Sequence, residues 1–241
     1  LAGEDAEKGA LLGAGAYGAA RLGSAAARRA GFRMPTQAAP MSSVTEVIEP
    51  GSVMFHGTKG GFEPSVARVS PHGDYGRGFY VTPNPSSASS YAEMGDNYFR
   101  PSAEKIPGSA VMPVTPQRPL RLLAMNELVT DAEREALRAA TQDFPFLSSR
   151  MDSVTDGNSV RIQLENYWNS YPEMHAPYVE RVARELQSTP AATDYGPRVY
   201  DHAPRELWVS EIMQKAGWDG VSQRLDTGSQ RAIFNPAELD T

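Results

Sequence analysis

Short apolar stretches that end at glycine, proline or polar residues predict the strands of this chain. They cover residues 53–58, 78–82, 109–116, 120–125, 219–223 and 231–235. Because these stretches occupy both ends of the sequence, we expect small sheets with helices inserted between their strands.

Helical patterns fill the regions between the predicted strands. Thr130 and Glu133 are spaced for a capping box, which predicts the start of an amphipathic helix over residues 131–141. Further helices are predicted over residues 85–95, 160–171, 175–187 and 204–216. Short strands with inserted helices indicate an α+β fold and not a regular βαβ repeat.

The first 40 residues differ in composition from the rest of the chain. They are rich in alanine and glycine, and we expect a helical segment or tether that precedes a domain over residues 41–241. An alternative is a segment that inserts in a membrane during delivery, although residues 9–20 are shorter than the roughly 20 apolar residues of a stable span. Residues 33–51 contain three prolines and are predicted to be a linker. Since the chain begins at Leu1, we expect it to be part of a larger polypeptide.

Composition excludes several classes of function. The 241 residues carry a net charge of −6, which argues against a strongly basic nucleic-acid platform. Cysteine is absent, so the chain has no disulfide framework, no thiolate nucleophile and no cysteine zinc site. No convincing metal-ligand spacing, phosphate-binding Gly-Lys-Ser/Thr loop or Gly-x-Ser-x-Gly motif occurs.

Three separated motifs carry candidate chemistry. His56 and Gly57 lie in the first predicted strand, and a Gly-x-Gly-x-Tyr turn ends at Tyr80. Tyr91 follows Tyr80 by eleven residues on the next predicted helix, and Gln230 precedes the last predicted strand. Each motif alone is weak, because a histidine in a strand or a glycine turn is more often structural than functional.

Together, and in this order, the motifs resemble the diphtheria-toxin-like branch of the ADP-ribosyltransferases, which includes the poly(ADP-ribose) polymerases. They are also similar to ADP-ribosyltransferase domains of large phage polyvalent proteins and bacterial toxins. The resemblance covers about residues 53–239. It implies two small, mostly antiparallel sheets packed around an NAD cleft, with NAD as substrate, no metal, and a macromolecular acceptor that is either protein or nucleic acid.

The resemblance also implies a set of site residues. Catalytic roles fall on His56, Tyr80 and Gln230, and NAD contacts fall on His56, Gly57, Thr58, Arg77, Gly78, Tyr80 and Tyr91. Two tyrosine rings can hold a flat nicotinamide between them, and the Gly57 backbone can both donate to and accept from its carboxamide. His56 can bind a ribose hydroxyl. We therefore expect His56, Gly57, Tyr80 and Tyr91 to line one cleft, with the two tyrosine rings roughly parallel.

Gln230 stands where the family has glutamate. A carboxylate there would bind the ribose 2′-OH and stabilise the oxocarbenium charge, whereas glutamine keeps a hydrogen bond without the charge. Gln230 is thus a variant that still transfers ADP-ribose, the mark of a domain that only binds NAD, or a substitution that inactivates a toxic protein. We expect it to begin a strand beside the strand of His56 and to point into the cleft.

The function implied by the resemblance is mono-ADP-ribosyl transfer by a phage-delivered or secreted bacterial effector. Such a protein acts in the cytoplasm of the host or target cell after delivery, without a stable membrane span. The alternative is a catalytically weak or inactive NAD-binding or structural module of a virion or toxin. A third possibility is simple hydrolysis of NAD.

Overall fold

A computed structural model describes residues 45–58, 70, 75–93, 109–187, 198–225 and 228–240 of the chain. The predicted tether over residues 1–40 lies outside the described residues, as does most of the predicted linker. Both therefore stay predictions.

The described residues form two small β-sheets and a set of helices. The strands are β1 (Thr45–Ile48), β2 (Met54–Thr58), β3 (Phe79–Val81), β4 (Ala110–Pro116), β5 (Leu120–Ala124), β6 (Gly220–Leu225), β7 (Gly228–Ile233) and β8 (Leu239–Asp240). The α-helices are α1 (Pro85–Glu93), α2 (Asp131–Ala140), α3 (Leu147–Arg150), α4 (Gly157–Ser170), α5 (Ala176–Gln187) and α6 (Arg198–Lys215). The α+β class and the two small sheets expected from the sequence are confirmed.

The two sheets join at one point that concerns the candidate site. One sheet has the order β1-β5-β6-β7-β3, with only β5 and β6 parallel, and the other has the order β2-β4-β8. An isolated antiparallel bridge connects Phe55 of β2 with Thr82, which directly follows β3. The two residues exchange backbone hydrogen bonds of 2.8 and 3.0 Å. This bridge brings the first and second sequence motifs side by side.

Each face of the five-stranded sheet covers a different core. The helical core lies between this sheet and the helices α2, α4 and α6, and Ala232 is fully buried in it. The inter-sheet core lies between the two sheets, with Met54 and Val114 from one and Phe79 and Ile233 from the other. Neighbouring residues of a strand point to opposite faces, so Ala232 and Ile233 belong to different cores.

The capping box predicted at α2 is confirmed. The Glu133 backbone N–H donates to the Thr130 hydroxyl at 3.3 Å, and the Thr130 N–H donates to the Glu133 carboxylate at 2.9 Å. Glu133 also accepts the hydroxyl of Thr45 at 2.5 Å. The same carboxylate therefore starts the helix and ties it to β1.

Two sequence predictions about element limits are wrong. Residues 45–48 were predicted as linker, yet they form β1 and pair with β5 across four residue pairs. Helix α6 begins at Arg198, not at Pro204, and retains Pro204 inside it. Ala203 and Leu207 of α6 pack with Val182 and Leu186 of α5, and this burial outweighs the loss of one backbone hydrogen bond at proline.

Candidate functional site

Tyr80 and Gln230 share one face of the five-stranded sheet. Tyr80 pairs with Ala232 in the antiparallel β3–β7 ladder. Gln230 is two residues before Ala232 on β7, so its side chain lies on the same face as Ala232 and Tyr80. Extending the register places Gln230 opposite Thr82, and its side chain is half-buried.

The position of Gln230 corrects two expectations. It is the third residue of β7 and does not begin the strand. The neighbours of β7 are β6 and β3, so the strand of His56 is not adjacent to it. The reason is the strand order: β2 belongs to the other sheet and reaches this region only through the Phe55–Thr82 bridge.

The Gly57 backbone faces the junction of the sheets. Phe55 directs both its N–H and its C=O toward Thr82. Alternate residues of a strand direct their backbone groups to the same edge, so the N–H and C=O of Gly57 also face β3. Because the bridge is antiparallel, they face it on the side of Tyr80, two residues before Thr82. Thr58, at the end of β2, is half-exposed and pairs with Ala110 on β4.

Helix α1 crosses β2 closely at Gly57. A methyl group on Gly57 would overlap the carbonyl oxygen of Ala88 and lie 3.2 Å from the backbone nitrogen of Ala92. Ala88 and Ala92 are buried, whereas Tyr91 is 44% exposed. Tyr91 is one helical turn from Ala88 and lies on the flank of α1 near the junction. The parallel arrangement of its ring with Tyr80 stays a prediction.

The ring of Tyr80 is held by the preceding turn, residues 75–78, which we call the Gly76 turn. Its hydroxyl donates to the Gly76 carbonyl oxygen at 2.7 Å and accepts the Tyr75 N–H at 3.1 Å. Gly76 has a φ of +98°, a left-handed conformation that favours glycine. Gly78 packs against β7, where a methyl group would lie 2.7 Å from the Ala232 Cβ.

His56 approaches the junction from the opposite face. Its ring stacks on Phe79 with a centroid distance of 4.3 Å, and it shares a face of β2 with the buried Met54. His56 and Tyr80 thus reach the junction from opposite faces of β3, because adjacent strand residues alternate and Tyr80 directly follows Phe79. The shared cleft expected from the sequence stays a prediction. The two residues are nonetheless joined, since His56 Nδ1 lies 2.7 Å from the Tyr80 carbonyl oxygen.

The contact with Tyr80 defines the proton position on His56. A carbonyl oxygen only accepts, so Nδ1 carries the hydrogen and Nε2 of the neutral ring is an acceptor. Burial lowers the pKa of His56, and the backbone hydrogen bond to Tyr80 opposes this effect only in part. The ring is therefore neutral at pH 7.

Protonation of His56 should make folding pH-dependent. The unfolded chain has a histidine pKa near 6.5, above that of the folded chain, so it binds more protons as the pH falls below that value. The free energy of unfolding should then fall with decreasing pH, by at most about 1.4 kcal/mol per pH unit from this group. Urea unfolding at pH 7.5 and 5.5 should show a smaller decrease for His56→Gln than for wild type. The exposed His202→Gln is the control, and an equal decrease in all three proteins would contradict the assignment.

Arg77 projects from the Gly76 turn to helix α5. Its Nη2 donates to Glu185 at 2.6 Å, and the side chain is 13% exposed. The Nη1 of Arg77 is buried without a hydrogen-bond partner among the described residues. A buried guanidinium N–H in this condition is costly.

Sequence reasoning missed the charged residues that support the turn. Arg161 on α4 and Glu206 on α6 lie directly under Gly76. The available signal was Glu206 itself, which falls on the buried face of α6 between Ala203 and Ser210. A charge on the apolar face of a helix indicates a buried partner.

Metal-ligand clusters and membrane-spanning helices are both absent from the part of the chain that the structure describes. Its acidic and histidine side chains form no group able to hold a metal ion. None of its helices is long and apolar enough to cross a membrane. Comparison of the chain with protein-family models, curated proteins and solved structures gives no match.

Proposed function

We propose that this chain has the ADP-ribosyltransferase fold, binds NAD where β2, β3 and β7 converge, and transfers a single ADP-ribose to a macromolecule. The observation that carries the proposal is the meeting of three distant motifs at this point. Gly57 faces the junction through its backbone, and Tyr80 and Gln230 share a face of neighbouring strands. The resemblance stated above assigns NAD contacts to these same residues.

The nicotinamide end of NAD suits the Gly57 side of the junction. Tyr80 has its hydroxyl fixed to the Gly76 turn, so its ring is already oriented. Tyr91 on α1 and Val111 on β4 are both exposed, and Val111 pairs directly with Gly57. A flat ring would gain apolar contact there, while its carboxamide would meet the backbone donor and acceptor of Gly57.

The ribose and diphosphate of NAD would also have polar partners at the junction. Gln230 would bind the 2′-OH of the nicotinamide ribose. The buried Nη1 of Arg77 fits a diphosphate oxygen, because a charge-assisted bond would satisfy this donor. Thr58 ends β2, and Gly78 ends the Gly76 turn.

The proposed reaction breaks the bond between C1′ of the ribose and the nicotinamide nitrogen. The electron pair of that bond leaves with nicotinamide, and C1′ becomes oxocarbenium-like. A lone pair of the acceptor then forms the new bond to C1′, and the acceptor loses its proton to solvent or a nearby base. Tyr80 and Gly57 would hold the leaving group in the orientation this step requires.

A second candidate function is NAD binding without transfer, and the identity of Gln230 favours it. Glutamine offers no negative charge to the developing oxocarbenium ion, so binding survives better than turnover. Incubation with NAD labelled in its adenylate portion separates the candidates. Labelled protein indicates transfer, and free labelled ADP-ribose indicates hydrolysis. Reversible binding alone indicates a module that binds NAD without transferring ADP-ribose. Delivery to a host or target cell rests on the resemblance alone.

Replacing Arg77 by glutamine tests the proposed contact with the diphosphate. Loss of a charge-assisted hydrogen bond should raise the Kd for NAD about tenfold or more, while the Kd for nicotinamide alone stays unchanged. Isothermal titration with both ligands measures the two effects.

Glu185→Gln is the matched control, because it breaks the same ion pair and leaves Arg77 in place. It should bind NAD as tightly as wild type, or more tightly. Equal weakening in both variants would assign the effect to the pairing with α5. Absence of NAD binding in the wild-type chain would refute the proposed function.

A further inference from the structure

Four charged side chains from α4 and α6 form a connected network under the Gly76 turn. Arg161 donates from Nε to Glu165 at 2.8 Å and from Nη2 to both oxygens of Glu206, at 3.2 and 3.1 Å. Arg205 donates to the same Glu206 carboxylate at 2.8 Å. Glu206 is only 3% exposed and Arg161 14%. Two positive and two negative charges thus balance one another, with Arg205 and Glu165 at the partly exposed end, 21% and 25% exposed.

The Arg161–Glu206 pair lies directly against Gly76. A methyl group on Gly76 would lie 2.6 Å from Glu206 Oε2 and 3.1 Å from Arg161 Nη1. The carbonyl oxygen of Gly76 accepts the Tyr80 hydroxyl. Arg161 also interacts electrostatically with Tyr80. The turn is therefore bounded by a buried ion pair and by the ring that it helps to hold.

Stability alone does not account for charges at this place. Burial lowers the pKa of Arg161, but Glu206 and Glu165 outweigh it and leave the pKa raised, so the side chain stays charged. Desolvating an ion pair costs several kcal/mol, and apolar residues of similar volume often stabilise a core equally well or better. What the charges provide here, and apolar residues would not, is a hydrogen-bonded pair of side chains held against Gly76.

We propose that Arg161 and Glu206 are positioning residues that fix the Gly76 turn and, through it, the orientation of Tyr80 and Arg77 toward NAD. The ordering of the turn stands on the contacts above. Its consequence for NAD rests on the proposed function, so the two are tested by separate measurements.

The first measurement is amide hydrogen exchange in the turn, which requires no ligand. The Tyr75 N–H donates to the Tyr80 hydroxyl, and the Gly78 N–H donates to the Ser70 carbonyl oxygen at 3.1 Å. In Arg161→Met both amides should exchange about tenfold faster or more, as expected for local opening, while core amides of β5 and β7 exchange as in wild type. Arg161→Lys, which keeps a positive charge beside Glu206, should restore much of the protection. Arg181→Met removes a more exposed ion pair to Glu211 and serves as the control.

The second measurement is the Kd for NAD of the same variants. It should rise about tenfold in Arg161→Met, matching the loss of order in the turn, and recover in Arg161→Lys. Unchanged exchange in a folded Arg161→Met protein would overturn the proposal, and faster exchange with an unchanged Kd would overturn its link to NAD. Faster exchange in a chain whose wild type does not bind NAD would leave the positioning role intact and reject the proposed function.

Arg161→Met could fail to fold, and Glu206→Gln then replaces it. This variant keeps the shape of the side chain but removes the charge that Arg161 and Arg205 share. Faster exchange of the Tyr75 and Gly78 amides is again the expected result, and wild-type exchange would overturn the proposal.

Discussion

Replacing Gln230 by glutamate is expected to raise kcat for NAD cleavage about a hundredfold or more, with a much smaller change in KM. Gln230 lies on the face of β7 that carries Ala232 opposite Tyr80, so a carboxylate introduced there meets the nicotinamide ribose in the proposed pose. Its charge would stabilise the oxocarbenium-like transition state more than bound NAD, and such an interaction acts on kcat. Initial rates of nicotinamide release over a range of NAD concentrations measure both constants.

The control for Gln230→Glu is Gln214→Glu, which adds the same charge at an exposed position on α6. This variant should have wild-type rates. Equal rates for wild type and Gln230→Glu would mean that the position does not face the reacting ribose. An increase with Gln214→Glu as well would indicate an effect of net charge.

A methyl group at Gly57 is expected to abolish measurable NAD binding and to lower the free energy of unfolding by about 2–3 kcal/mol. The added group in Gly57→Ala would overlap the backbone of α1 at Ala88, and backbone cannot relieve this overlap by a change of rotamer. Helix α1 must then move away from β2 and carry Tyr91 with it. Urea unfolding and NAD titration measure the two losses.

Gly51→Ala is the comparison for Gly57→Ala. Gly51 has a φ of +79° with open space around its Cβ position, so alanine there should cost about 1 kcal/mol by backbone strain alone. Gly51→Ala should therefore bind NAD normally. A Gly57→Ala protein that matches it in stability and affinity would show that α1 does not restrict this position.

Local signals in the sequence predicted the elements that depend on few neighbours. Thr130 and Glu133 are three residues apart and determine the start of α2 between them, and the structure has both bonds. Strand β1 was missed because four residues carry little pattern of their own, and pairing with β5 stabilises them. The early start of α6 depends in the same way on packing against α5. The proline inside α6 predicts a helix start at that residue and gives no indication of this packing.

The same distinction between local and non-local signals applies to the candidate site. The motifs predicted Tyr80 and Gln230 as site residues, and the structure has these two on one face of neighbouring strands. The side from which His56 approaches depends on the bridge between β2 and Thr82, which is a non-local contact. The support from Arg161 and Glu206 comes from two separate helices, so no spacing in the sequence could have predicted their pairing.

Chemical-shift changes of the backbone amides show directly whether NAD binds where β2, β3 and β7 converge. NAD is expected to shift the amide signals of Gly57, Tyr80 and Gln230 most, with smaller effects around Arg77. The amide signal of Gly217, which lies just after the C-terminal end of α6, should not shift. Absence of shifts at millimolar NAD, or shifts concentrated away from these strands, would contradict the claim that this junction is an NAD site.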